Sequence, residues 1–213
     1  QTERHYHLPE KNLVLCGYAM LEELQARCDA MDKTPRGARK ILIAPSWQEQ
    51  NILDSCIHDI LGELLGKGYQ VVVRPHPEYV KRYAVKMNAI VERYRDYAGG
   101  DLSFELDFTD SSSIFNSDIV ISDWSGTAYE AAFVTGRPVL FINTPPKINN
   151  QEYDAIEAKP LEMTLRSEIG LGSGEKYAAK IKEIRQAYIA NFGRSAEVGG
   201  RYIIDKLTGK DTK

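Results

Sequence analysis

From residue 40 onward the chain alternates between short, almost wholly apolar runs and longer stretches with one apolar face. KILIAPSW (40–47) is apolar until Pro45 interrupts it, and YQVVVRPHP (69–77) repeats the design with two prolines at its end. LSFELDF (102–108), DIVISD (118–123) and RPVLFIN (137–143) complete a series of five predicted strands. Runs that are apolar without clean alternation belong to strands buried on both faces, the signature of a parallel sheet. Between them lie helical patterns. Leu53, Ile57, Ile60, Leu61, Leu64 and Leu65 share one face of 52–68, which ends at Gly66 or Gly68. A long helix is predicted over 78–98, a short one over 111–117 and another over 126–136. The order β-α-β-α-β-α-β-α-β predicts an α/β fold: a doubly wound, Rossmann-like parallel sheet with helices on both faces.

The flanks are less regular. Residues 1–16 read as a linker or incoming segment, with a short apolar run at LVLCGY (13–18). Leu21, Leu24 and Cys28 place a helical stripe on 19–31, and DKTPRGAR (32–39) has the Pro, Gly and charge of a loop. After residue 143 come a Pro/Asn-rich loop, a patch around MTLRSEIG, and helices near 175–192 and 196–208. The division that follows is 1–16 as linker, 17–175 as a Rossmann-like nucleotide-donor-binding domain, and 176–213 as helices packing back on it.

Composition narrows the function. A formal net charge of −3 over 213 residues gives no overall basic excess, which argues against a nucleic-acid partner. The three cysteines, Cys16, Cys28 and Cys56, lack metal-ligand or CxxC spacing and read as buried cytosolic thiols. No apolar run approaches the roughly 18 residues of a membrane span. A basic run on the 81–95 helix (Lys81, Arg82, Lys86, Arg93, Arg95) is interrupted by Glu92, and a solvated face outweighs an anionic-lipid patch.

In an open parallel sheet, ligands bind beyond the carboxyl ends of the strands. That rule selects PSWQEQN, RPHP, FTDSSS and SDWSGT. Ser46, Arg74, His76, Ser125, Gly126 and Thr127, converging on one rim, would make an anion site. Arg74 offers a planar fork of donors suited to phosphate oxygens. His76, between two prolines, is held stiffly and would pair as imidazolium with a diphosphate or donate one hydrogen bond as the neutral ring. The competing reading is a structural turn in which Arg74 pairs with a nearby acid. His58 reads as an ordinary surface residue.

Ser125-Gly126-Thr127 precede a helix whose first-turn N–H groups and positive dipole end favour a phosphate. Gly126 removes a Cβ that would block close approach. Glu130, one turn in, is placed to accept hydrogen bonds from vicinal ribose hydroxyls. A plain capped helix, with Ser125 or Thr127 as N-cap and Glu130 closing a capping box, is the competing account. Asp123 positions a neighbour or caps the loop, and Trp124 stacks or packs. GxGxxG, Walker, GxSxG and HExxH motifs are missing, and no cofactor or metal is expected, Asp107, Asp110 and Asp123 making a weak cluster.

The ordered set GYAMLEEL (17–24), ILIAPSW (41–47), VVVRPHP (71–77) and SDIVISDWSGTAYEAAFVTGRPVLFI (117–142) resembles the CDP-glycerol glycerophosphotransferase family, makers of teichoic-acid-type polymers. The resemblance implies the C-terminal, donor-binding half of a GT-B fold. Arg74 and His76 would then contact the donor diphosphate and serve catalysis. Ser125, Gly126 and Thr127 would bind phosphate or the glycerol end, Glu130 would sit near the ribose, and Pro45, Ser46 and Trp47 would line the cleft. Asp123 joins this donor-binding set. The implied partners are CDP-glycerol or a related nucleotide-activated donor, and a hydroxyl acceptor on a lipid-linked polymer at the cytoplasmic face of a bacterial membrane. A preceding acceptor half with a histidine base is implied too; without it the chain is expected to bind donor and turn over little. The SG-x-x-x-E loop departs from the family's TDYSS pattern and is similar to nucleotide-sugar loops. A GT-B glycosyltransferase domain and a non-catalytic nucleotide-binding module therefore stand as alternatives.

Overall fold

Each of the five predicted strands forms, and alternate residues supply two different cores. The computed structural model describes residues 2–31, 37–146, 161–169, 172 and 174–209. The strands are β1 (Lys40–Ala44), β2 (Gln70–Val73), β3 (Leu102–Phe104), β4 (Ile119–Ser122) and β5 (Val139–Phe141). All pairings are parallel, in the order β3-β2-β1-β4-β5. The expected doubly wound α/β sheet is therefore present. Side chains of successive strand residues point to opposite faces. Ile41, Ile43, Val71, Val73 and Ile121 enter one core, whereas Leu42, Ala44, Val72 and Val120 enter the other.

The helices are α1 (Thr2–His5), α2 (Ala19–Asp29), α3 (Ile52–Ser55), α4 (Ile57–Leu64), α5 (Pro77–Arg82), α6 (Ala84–Arg93), α7 (Ser112–Asn116), α8 (Gly126–Thr135), α9 (Leu161–Ile169), α10 (Gly174–Tyr188) and α11 (Ser195–Leu207). Helices α3 to α6 cover one face through Ile52, Ile57, Leu61, Tyr79, Met87 and Ile90. Helices α2, α7, α8, α9 and α10 cover the other. Helix α8 buries Ala128, Tyr129, Ala131, Ala132, Phe133 and Val134, so it is apolar on nearly every side and lies inside its layer. It stops at Gly136, whose φ of 63° is the left-handed conformation that closes a helix.

Several boundaries differ from expectation. The 52–68 pattern is two helices, because Asn51 caps α3 with its side chain and the chain leaves helical geometry at Cys56. The 78–98 helix breaks at Tyr83 and ends in a 3-10 turn, Arg95–Tyr97. Tyr79 and Lys86, either side of that break, both donate to Asp54 Oδ1 of α3 at 2.9 Å. LVLCGY forms no strand, and Leu13 and Leu15 are exposed. Residues 163–169 of the MTLRSEIG patch lie in helix α9. Most of the Pro/Asn-rich loop, and residues 32–36 of the expected loop at 32–39, lie outside the described residues.

The topology fixes where a ligand fits. The chain winds outward from β1 through β2 to β3, then returns to place β4 on the other side of β1. The crevice of such a sheet opens at the carboxyl ends of β1 and β4.

Candidate functional site

A cleft of about 400 Å³ lies at that edge. Its walls come from Pro45 after β1, the Arg74–Pro77 turn after β2, Phe108, Thr109 and Ser111 after β3, and Ser125, Thr127 and Glu130 at the start of α8; Met20 and Arg27 of α2 border it. The turns that close β2 and β4, 51 residues apart in sequence at Arg74 and Ser125, thus share one space.

Arg74 is largely buried and held from behind. Its Nη1 donates to Glu105 Oε2 at 2.8 Å and to the Asp110 carbonyl at 2.7 Å, and the guanidinium lies 5.6 Å from the centre of the Phe108 ring. Ser113, fully buried, donates to the same Glu105 oxygen at 2.6 Å. The acid that pairs Arg74 therefore exists, and Arg74 lines the cleft as well. Both of these bonds come from Nη1 of a group with five donors, so pairing and cleft lining coexist.

His76 caps helix α5. Its Nδ1 accepts the Glu78 N–H at 3.1 Å, and Pro77 occupies the first helical position, where its lost N–H costs nothing. A nitrogen that accepts is unprotonated, so this geometry belongs to the neutral ring with its proton on Nε2. Of the two roles open to His76, the arrangement matches the neutral donor. Trp47 packs against it with ring centres 6.4 Å apart, under the guanidinium of Arg82.

At α8, Ser125 is the N-cap by backbone geometry and makes no side-chain capping bond. The capping box is not formed. Glu130 instead accepts a hydrogen bond from the Tyr18 hydroxyl at 2.5 Å. A Cβ built on Gly126 would meet nothing within 4 Å, so the space beside the helix start is open. Gly126 and Glu130 also border a second, mainly apolar cavity of about 230 Å³ with Tyr18, Tyr129, Phe133, Leu165 and Ile189.

Two of the expected donor-binding residues, Asp123 and Ser46, are engaged in loop contacts. Asp123 is fully buried: Oδ1 accepts the Ser46 N–H at 2.7 Å and the Trp124 N–H at 2.6 Å, and Oδ2 accepts the Ile52 N–H at 3.1 Å. The carboxylate clasps the loop after β1 to the loop after β4. Ser46 is buried within the same clasp, its carbonyl accepting Asn51 Nδ2 at 3.0 Å, and the neighbouring Pro45 lines the cleft in its place. The reason is the same for both. Backbone N–H groups in a buried loop need acceptors, and Asp123 is the acceptor within reach.

Asp107, Asp110 and Asp123 do not converge: among the described residues no three His, Cys, Asp or Glu side chains gather as a metal site. Asp110 is held below its usual range by hydrogen bonds from Ser112, with Arg74 adding a smaller pull. His58 is exposed, stacks on Tyr94 and shares a 3.1 Å hydrogen bond with its hydroxyl; burial and then Arg93 depress its pKa. In the basic run, Arg82 pairs with Glu78, Lys86 with Asp54 and Arg95 with Glu92.

Sequence reasoning passed over four residues. Glu105 and Tyr18 bear on the cleft, Asn51 caps α3, and Arg166 of α9 clasps the strand ends. The Arg166 guanidinium donates to the carbonyls of Asp123 and Ile142 and lies 4.3 Å from the centre of the Trp124 ring. Burial lowers its pKa. The advance signals were positional: Tyr18 falls in GYAMLEEL, Asn51 closes the PSWQEQN loop and Arg166 lies in the MTLRSEIG patch.

No protein-family model matches the sequence, and no curated protein matches it. Solved structures do. This fold is shared with the wall teichoic acid polymerase TagF. A histidine-to-asparagine variant of TagF, soaked with CDPG, superimposes with a TM-score of 0.50 at 18% identity, covering 97% of this chain and 54% of TagF. A second TagF structure gives 0.45 at 16% identity, over 91% of this chain and 49% of that one. The likeness to TagF is one of fold, and it falls in the family that the sequence motifs resemble. The chain spans about half the length of the TagF chains it matches.

Proposed function

We propose that this chain is the donor-nucleotide half of a glycerophosphotransferase, taking glycerol phosphate from CDP-glycerol to a hydroxyl acceptor. The observation that carries the reading is the shared cleft: the RPHP turn and Ser125 and Thr127 at the start of α8 line one space at the topological switch point. A diphosphate lying there would meet Arg74, His76 and the first-turn N–H groups of α8, while Glu130, one turn further, would meet the ribose.

The chemistry is in-line transfer at the β-phosphate. The acceptor oxygen forms a bond to β-phosphorus, the bond from β-phosphorus to the bridging oxygen breaks, and CMP departs with the electron pair. The acceptor's proton goes to a base on the acceptor half of such an enzyme. Arg74 and the helix N–H groups would stabilise charge gathering on the phosphates, and His76 would donate from Nε2 to the bridging or terminal oxygens. Alone, the chain binds donor and does not turn it over at the rate of a complete enzyme. The acceptor in this reading is a lipid-linked polymer at the inner membrane face, and no described helix is long and apolar enough to cross a membrane.

Calorimetric titration of the purified chain with CMP, CDP, CDP-glycerol, UDP and GDP tests the assignment. Cytidine nucleotides should bind best, and Arg74→Ala or His76→Ala should each weaken CDP about tenfold, the scale of one lost hydrogen bond to a charged group. A preference for uridine or guanosine would transfer the same site to a nucleotide-sugar glycosyltransferase, and failure to bind any nucleotide would end the donor-site reading.

A further inference from the structure

Glu130 borders two cavities at once: the polar cleft on one side and the apolar cavity containing Tyr18 on the other. The GY pair at 17–18 belongs to a motif that the proposed chemistry leaves without a task. Its tyrosine crosses 112 residues of sequence to donate to Glu130 Oε1.

The tyrosine is held where it stands. Gly17 adopts φ +115°, and a Cβ there would lie 2.2 Å from Ser195 Oγ and 2.4 Å from the Ala190 carbonyl. Asn191 Nδ2 donates to the Leu15 carbonyl at 2.6 Å, fixing the chain two residues earlier. Tyr18 then serves as N-cap of α2, whose Leu21 and Leu24 are buried. The tyrosine forms one wall of the apolar cavity, with Tyr129, Phe133, Leu165 and Ile189 making the others, and keeps 38% of its surface exposed. Burial and the adjoining carboxylate raise the phenol's pKa, so it stays a donor throughout the neutral range.

We infer that Tyr18 is a positioning residue: by engaging one carboxylate oxygen of Glu130 it turns the other toward the vicinal diol of a nucleotide ribose in the cleft. The inference rests on the donor-site reading above and goes beyond it. An unrestrained glutamate would have to be ordered when the nucleotide binds; a charge-assisted bond to a fixed phenol orders it beforehand. Because the phenol approaches from the apolar side, it takes no room in the cleft.

The test compares CDP with its 2′,3′-dideoxy analogue by calorimetry on the full chain. The wild type should prefer CDP. Tyr18→Phe should lower CDP affinity about tenfold while leaving dideoxy-CDP nearly unchanged. Glu130→Gln should abolish the preference, and the double variant should be no worse than Glu130→Gln alone, since both act through one contact. Equal losses for the two ligands in Tyr18→Phe would show a merely structural tyrosine and overturn the inference. So would a Tyr18→Phe variant that keeps the full preference, or a Glu130→Gln variant that keeps it. Those results leave the donor site standing. A wild type that binds neither ligand removes the donor site and this inference together.

Discussion

A carboxylate with no solvent exposure survives in a protein only when its charge is answered by donors, and Asp123 is answered by three backbone N–H groups. Truncation would orphan the N–H groups of Ser46, Trp124 and Ile52 together. Asp123→Ala should therefore destabilise the fold by at least about 3 kcal/mol, read as a lowered urea midpoint with an unchanged slope. Asp123→Asn keeps one oxygen and should fall between the two. Arg74 makes the opposite case. It is paired with Glu105 on one side and lines the cleft on the other, so Arg74→Lys should lose CDP affinity almost as Arg74→Ala does, because an ammonium cannot hold Glu105 and reach a phosphate with the same planar fork. Titrating the two variants side by side checks this.

Among the elements, α11 depends on a residue from α2. Glu22 Oε1 accepts from the backbone N–H groups of Gly193 and Ser195, at 2.8 and 3.0 Å, and from the Ser195 hydroxyl. These bonds, that of the Ser195 hydroxyl first, hold the Glu22 pKa below its ordinary value of 4.5. A carboxylate depressed in the folded state stabilises above its unfolded pKa, and that stability is lost as pH falls through the folded value. Glu22→Ala should cost about 1 kcal/mol near pH 7. The gap to wild type should close as pH drops below about 4.5, which denaturation midpoints at pH 7, 5 and 3 would follow. Gly17 serves the same junction. Gly17→Ala meets both a left-handed φ and a Cβ placed on Ser195 Oγ, so it should cost at least about 2 kcal/mol and lower the melting temperature accordingly.

Across the whole molecule, the cleft is a product of strand order. Had β4 added beyond β3, the loops after β1 and β4 would stand at opposite ends of the sheet and share no crevice. The return of the chain to β1 brings Pro45, Arg74 and Ser125 to one edge and buries Asp123 between the two loops. The path of the chain is also what this protein shares with TagF at 18% identity.

The amino-acid sequence alone determined the elements and their class. Apolar runs at 41–44, 71–73 and 119–121 can be buried only from both sides, and parallel strands joined by helices follow from that. It also determined which turns hold donors, because prolines and small polar residues punctuate the strand ends. Contacts between distant residues were decided by tertiary structure. Nothing local to Tyr18 names Glu130 as its acceptor, and nothing local to Asp123 tells whether it faces ligand or loop. The physical reason is that a side chain's direction at a strand end is set by whichever unsatisfied group lies nearest in space, and that neighbour is chosen by the order in which the strands assemble.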